Sequence, residues 1–129
     1  MKFGFIGLGN MAGAIIHGMI TSQQFNAADV YGMNRSREKT EDLVNKYGIQ
    51  AADTIEQIME QVDVIVIAVK PQMFEDVLPT IKKHLTNKHI VISIAAGKSL
   101  DYLHEELGSE TSIFRVMPNI NATIGASTS

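Results

Sequence analysis

The stretch Gly7-Leu8-Gly9-Asn10-Met11-Ala12 narrows what this chain can fold into more than any other feature. It follows a short apolar run, Lys2 to Gly7, and opens a segment whose apolar residues Ala12, Ile15, Ile16, Met19 and Ile20 recur at helical spacing. A strand, a glycine-marked turn and an amphipathic helix are expected in that order. The pattern G-x-G-x-x-A has a physical meaning in this setting. Gly7 permits a tight turn, Gly9 keeps side-chain atoms away from an approaching group, and Ala12 lets helix and strand pack closely. The bare N–H groups and positive dipole end of the helix then suit a diphosphate. An ordinary strand-to-helix turn is the plain alternative, but the strand before and the helix after favour dinucleotide binding.

The alternation continues. Asp29 to Asn34 reads as a second strand, and Ser36 is placed to cap a helix running to about Tyr47 and ended by Gly48. A short third strand near Ile49 to Ala51 precedes a helix with Ile55, Ile58, Met59 and Val62 on one side. Asp63 to Val69 is apolar at nearly every position, as expected for the middle of a parallel sheet covered on both faces. Phe74, Val77, Leu78, Ile81 and Leu85 mark a helix in which Pro79 is expected to cause a kink or a split. A fifth strand from His89 to Ala95, a helix with Leu100, Leu103 and Leu107 ended by Gly108, and a sixth strand from Ile113 to Met117 complete the series. Ile120 to Ser129 reads as one more extended segment, without a closing helix. Right-handed crossovers place helices on both faces, so the fold class is α/β: a Rossmann-type, doubly wound, mostly parallel sheet in three α/β/α layers. Residues 1–129 form one domain, and a further C-terminal part of a longer protein is expected.

Composition excludes several classes. The 129 residues contain no cysteine, which removes disulfides, thiolate metal sites and cysteine nucleophiles. A formal net charge of −3 and the absence of a basic stripe argue against a nucleic-acid module. Glycines at 4, 7, 9, 13 and 18 spoil the N-terminus as an export helix, and no run reaches membrane-spanning length. A cytoplasmic protein that engages no membrane is expected. His17, His84, His89 and His104 are scattered without ligand spacing, so no metal site is expected. No serine sits in a G-x-S-x-G elbow.

Ligands of open α/β sheets lie beyond the carboxyl ends of the strands, which points to four further segments. The second strand ends in Asn34-Arg35-Ser36-Arg37, with no carboxylate to accept from ribose hydroxyls. Arg35 or Arg37 can pair with a 2′-phosphate and Ser36 can donate to it, so NADPH is preferred and NADH remains possible. Ala68-Val69-Lys70-Pro71 follows the fourth strand and places the Lys70 charge at the crevice mouth, although a lysine on a loop is ordinarily just solvated. Ala95-Ala96-Gly97 offers small residues against which a flat ring can lie. Asn119, in Val116-Met117-Pro118-Asn119, either holds substrate or the cofactor carboxamide, or forms a turn after proline.

With these segments assembled, the chain resembles the N-terminal domain of pyrroline-5-carboxylate reductase over nearly its whole length. Four blocks carry the likeness: the glycine loop from Gly7 to Ala12, Ala68-Val69-Lys70-Pro71-Gln72, Ser93-Ile94-Ala95-Ala96-Gly97, and Arg115-Val116-Met117-Pro118-Asn119. Two departures stand out. Ile120-Asn121 replaces the Thr-Pro that often follows M-P-N, and Asp53-Thr54-Ile55 lacks an asparagine that often touches the cofactor ribose, leaving Thr54 as a weak substitute.

The resemblance implies hydride transfer from NAD(P)H to the imine carbon of 1-pyrroline-5-carboxylate, giving L-proline. It implies Lys70 and Asn119 near substrate. It also implies a helical C-terminal domain that makes a homodimer or higher homo-oligomer and supplies most substrate-binding groups, so the present chain alone would turn over poorly or not at all. A β-hydroxyacid dehydrogenase, another imine reductase and a non-catalytic nucleotide-binding paralogue are the alternatives.

Overall fold

Short runs of branched and aromatic residues form most of the strands, and all but the last are followed by a stretch with one apolar helical stripe. The computed structural model describes residues 1–94 and 100–115. The strands are β1 (Phe3–Ile6), β2 (Val30–Met33), β3 (Gln50–Ala51), β4 (Val64–Ile67), β5 (Ile90–Ser93) and β6 (Ser112–Arg115). The helices are α1 (Asn10–Thr21), α2 (Arg37–Tyr47), α3 (Ile55–Gln61), α4 (Phe74–His84) and α5 (Leu100–Leu107). The six strands lie in the order β3-β2-β1-β4-β5-β6, and every pairing is parallel. This is the doubly wound arrangement expected from the alternation, with the chain reversing direction between β1 and β4.

Two apolar cores sandwich the sheet. On one face Ile6, Ile65, Ile67, Val91 and Ile113 meet Ile58 and Met59 of α3, Phe74, Val77, Leu78 and Ile81 of α4, and Leu103 and Leu107 of α5. On the other, Phe5, Val30, Val64, Val66 and Ile94 meet Ala12 and Ile16 of α1 and Leu43 of α2. β4 contributes alternate residues to both and is buried throughout, which explains its unbroken apolar run. At Gly4 a Cβ would stand 2.4 Å from Ile58 Cγ2, so a bare α-carbon lets α3 lie close on the sheet.

Three local expectations are corrected. α4 runs through Pro79 without splitting. Pro79 is exposed, so the Glu75 carbonyl deprived of its partner faces water, while the buried stripe on the opposite side keeps its packing. Ser36 stands at the N-cap of α2 but makes no side-chain cap bond; its hydroxyl is exposed and its carbonyl accepts from Asn34 Nδ2 at 3.4 Å. The second strand begins one residue late, because Ala27–Asp29 forms a 3-10 turn in which the Ala28 N–H donates to Asn26 Oδ1 at 3.0 Å. Gly48 does end α2 in the left-handed region, as expected. His89, among the scattered histidines, is buried. Its Nδ1 accepts from the Thr86 N–H at 3.0 Å and its Nε2 donates to the Met59 carbonyl at 3.1 Å, tying α3 to the start of β5.

Candidate functional site

Parallel pairing brings the carboxyl ends of β1, β2 and β4 to one edge of the sheet, and the loops leaving them interlock. The Gly7 N–H donates to the Met33 carbonyl at 2.9 Å, and the Ala68 N–H donates to the Ile6 carbonyl at 2.8 Å. Gly7 has φ +98°, and a Cβ there would lie 2.8 Å from Val69 N and 2.9 Å from the Ala68 carbonyl carbon. Its bareness is required by its own protein. Gly9 is different: its φ is an ordinary −74°, and a Cβ there would meet nothing within 4 Å among the described residues beyond its chain neighbours. The space beyond Gly9 is kept open, which is what an incoming ligand needs.

α1 begins at that open space. The Gly13 N–H to Gly9 carbonyl bond at 2.9 Å is the first of the helix, so the amides of residues 10–12 have no intrahelical acceptor. Neither a side-chain cap nor an acidic residue occupies the first turn. These amides and the dipole end of a twelve-residue helix form a cradle suited to a diphosphate. Ala12 is buried against the sheet, as the motif requires.

A crevice of about 600 Å³ runs from this loop between the rims after β2 and β4. Gly7, Leu8, Gly9, Asn34, Arg35, Ala68, Val69 and Lys70, all singled out from the sequence, line it together. Ile6, Met33, Lys39, Ile55, Gln72, Met73 and Val77 complete it. Lys39 carried a signal that the sequence reading passed over, since it falls in the first turn of α2, just beyond Ser36. Gln72 stood in the block after Lys70 without being given a role, and Met73 had no signal, because only the 3-10 turn Pro71–Met73 brings them to the rim.

The arginines part company. Arg35 lines the crevice, with Nη1 3.5 Å from Met73 Sδ on the opposite rim. Arg37 turns away and pairs with Asp53 at 3.1 Å, both side chains being more than half exposed. Thr54 is not in the crevice lining; its Oγ1 accepts from the Gln57 N–H at 3.2 Å and caps α3. Ser36 and Met11 also lie outside the lining, Met11 packing against the core beneath α1. Ala95, Ala96, Gly97 and Asn119 fall outside the described residues, as do the side chains of Asn10 and Pro71.

A second groove of about 690 Å³ starts from Leu8, Gly9 and Lys39, which it shares with the crevice, and continues between α1 and α2 along His17, Asp42, Lys46 and Tyr47. It follows the flanks of two helices, whereas ligands of open α/β sheets bind beyond the strand ends, so the crevice is the candidate site. Among the described residues no three His, Asp or Glu side chains gather to hold a metal ion, and no helix is long and apolar enough to cross a membrane.

The likeness to known proteins fits this geometry. The pyrroline-5-carboxylate reductase of Staphylococcus epidermidis is 38% identical over 128 residues, covering 98% of this chain and 47% of that protein. Among solved structures, a pyrroline-5-carboxylate reductase from Coxiella burnetii matches with a TM-score of 0.87 at 32% identity, over 95% of this chain and 46% of that one. The pyrroline carboxylate reductase of Plasmodium falciparum, solved with NADP bound, matches with a TM-score of 0.81 at 32% identity, over 92% and 42%. The chain therefore spans about half the length of the curated relatives it matches. The resemblance carried by the four sequence blocks agrees with these relatives. A family model described as NADP oxidoreductase, coenzyme F420-dependent, matches residues 2–97, and with a cradle for a diphosphate at the head of its parallel sheet, the chain belongs to that family.

Proposed function

We propose that this chain is the cofactor-holding part of a cytoplasmic NAD(P)H-dependent pyrroline-5-carboxylate reductase that converts 1-pyrroline-5-carboxylate to L-proline. One observation carries the reading: the void over Gly9, faced by uncapped amides, opens into a crevice lined by Arg35, Lys39 and Lys70. The residues present fit a nicotinamide dinucleotide. The loop from Gly7 through Leu8, Gly9, Asn10 and Met11 to Ala12 would border the diphosphate, with Gly7 and Leu8 setting the direction of the turn and the uncapped backbone N–H groups at the head of α1 holding the anion. Arg35, Ser36 and Lys39 would meet the adenosine 2′-phosphate, which favours NADPH over NADH. Ala68, Val69 and Pro71, with Ala95, Ala96 and Gly97, would border the nicotinamide half. Lys70 and Asn119 would lie toward the substrate.

When bound, the reduced nicotinamide supplies the hydride. An imine, especially when protonated, is already electrophilic, so the task left to this chain is to hold the ring in line and exclude water. The other half of a full-length protein would supply the substrate-binding and proton-donating groups and the homodimer contact. Full-length protein should therefore reduce the imine and leave a β-hydroxyacid unchanged.

The testing experiment titrates full-length protein with NADPH and NADH after Arg35→Asp and, separately, Arg37→Asp. Arg35→Asp is expected to weaken NADPH by about 2–3 kcal/mol more than NADH, the scale of a charge-assisted hydrogen bond. Arg37→Asp, acting on a solvent-exposed pair away from the crevice, is expected to change both by less than about 1 kcal/mol. Equal losses of both cofactors with Arg35→Asp would refute the phosphate assignment.

A further inference from the structure

We propose that Asn34 is a positioning residue: its carboxamide holds the glycine loop in shape, and its lack of charge lets a phosphorylated cofactor sit beside it. The proposal rests on the dinucleotide reading above. Asn34 immediately follows β2 and is half-buried. Its Oδ1 accepts from the Leu8 N–H at 3.0 Å, and its Nδ2 donates to the Ser36 carbonyl at 3.4 Å. One side chain thus joins the loop after β1 to the turn entering α2. Leu8 is held from its other end as well, because its side chain is buried and packs over Gly32, where a Cβ would come within 3.1 Å of Leu8 Cδ2. With Gly7 bonded to Met33 on one side and Leu8 to Asn34 on the next, the chain reaches Gly9 with its direction set.

Two consequences follow from the chemistry. The Leu8 amide is spent on Asn34, so the diphosphate is left to the amides at the start of α1. An aspartate at 34 would accept the same bond but would add a negative charge beside Arg35, where the cofactor brings its own. Asparagine supplies the acceptor without that charge.

Asn34→Ala and Asn34→Asp separate the two roles. The measurements are NADPH and NADH affinities by fluorescence titration of the full-length protein, hydrogen exchange of the Leu8 amide, and thermal melting to verify that each variant folds. Asn34→Ala is expected to speed Leu8 exchange and weaken both cofactors equally, by about fivefold, the worth of one net hydrogen bond acting on the shared diphosphate. Asn34→Asp is expected to keep the Leu8 amide protected and NADH within about twofold, while NADPH falls by about tenfold or more, as for like charges brought together. An Asn34→Ala loss confined to NADPH, with Leu8 exchange unchanged, would show that the carboxamide reads the phosphate directly and overturn the proposal. So would wild-type affinity for NADPH in Asn34→Asp. Should the wild type bind neither dinucleotide, the dinucleotide reading fails by itself, and Leu8 exchange in Asn34→Ala still decides whether the brace exists.

Discussion

Gly7 and Gly9 belong to one motif, yet the structure assigns them opposite kinds of necessity, and alanine at each position separates the two. Gly7→Ala forces a side chain into φ +98° and sets its Cβ 2.8 Å from Val69 N. The left-handed conformation costs about 1–2 kcal/mol, and crowding against backbone that cannot swing aside adds about 1–3 kcal/mol. Reduced freedom of the unfolded chain returns about 0.4–1 kcal/mol. The net loss is about 1–5 kcal/mol, a large share of the roughly 5–15 kcal/mol that stabilises a domain, and a fall in Tm on the order of 10 °C. At Gly9 the same alanine meets nothing within 4 Å among the described residues beyond its chain neighbours and adopts an ordinary φ of −74°. The poorer N-cap costs about 0.5–1 kcal/mol, which the stiffer unfolded chain roughly offsets. Stability should stay within about 1 kcal/mol of wild type, while the methyl group intrudes where the diphosphate would lie and cofactor affinity falls by about tenfold or more. Urea unfolding and NADPH titration of both variants read the two outcomes. A stable Gly7→Ala, or a Gly9→Ala that binds NADPH as well as wild type, would refute the division.

Two further effects are expected. Ser93, fully buried at the end of β5, has a hydroxyl with no hydrogen-bond partner among the described residues, so Ser93→Ala should leave stability unchanged or raise it by up to about 1 kcal/mol in urea unfolding; a loss above about 1 kcal/mol would mean that the hydroxyl is satisfied after all. Tyr102 on α5 has its phenol raised above the usual 10.0, first by desolvation and then by the charges of Glu106 and Glu75. The unfolded chain then loses this proton first, so the stability contributed by Tyr102 is complete below pH 10.0 and declines as pH rises toward the higher folded value. Tyr102→Phe should remove that alkaline decline, and Glu106→Gln should lower the phenol's titration midpoint read by phenolate absorbance.

The glycine loop, the strand-helix alternation and the line of residues at the ends of β1, β2 and β4 were legible because each rests on local chemistry. Gly7 and Gly9 announce a turn and a space, and Val64–Ile67 announces a strand with two covered faces. Other features needed partners from afar. Pro79 argued for a break in α4, but the buried faces of Phe74, Val77, Leu78 and Ile81 kept the helix whole. Ser36 occupied the cap position without capping. Arg35 and Arg37 were equivalent as candidates until Asp53, sixteen residues beyond Arg37, drew one of them out of the crevice. Lys39 and Met73 joined the candidate site through the placing of a helix turn and a 3-10 turn that no short pattern encodes.

The amino-acid order alone determined the architecture and pointed to the candidate site, because periodicity and backbone permission act within a few residues of where they are written. Tertiary structure decided which atoms are left to bind. The Leu8 amide is consumed by Asn34 while those at the head of α1 are spared, and the glycine at 7 serves the fold while the glycine at 9 borders open space. Those distinctions depend on which groups from separate strand ends come within hydrogen-bonding or van der Waals range, and that distance exists only after the sheet has paired.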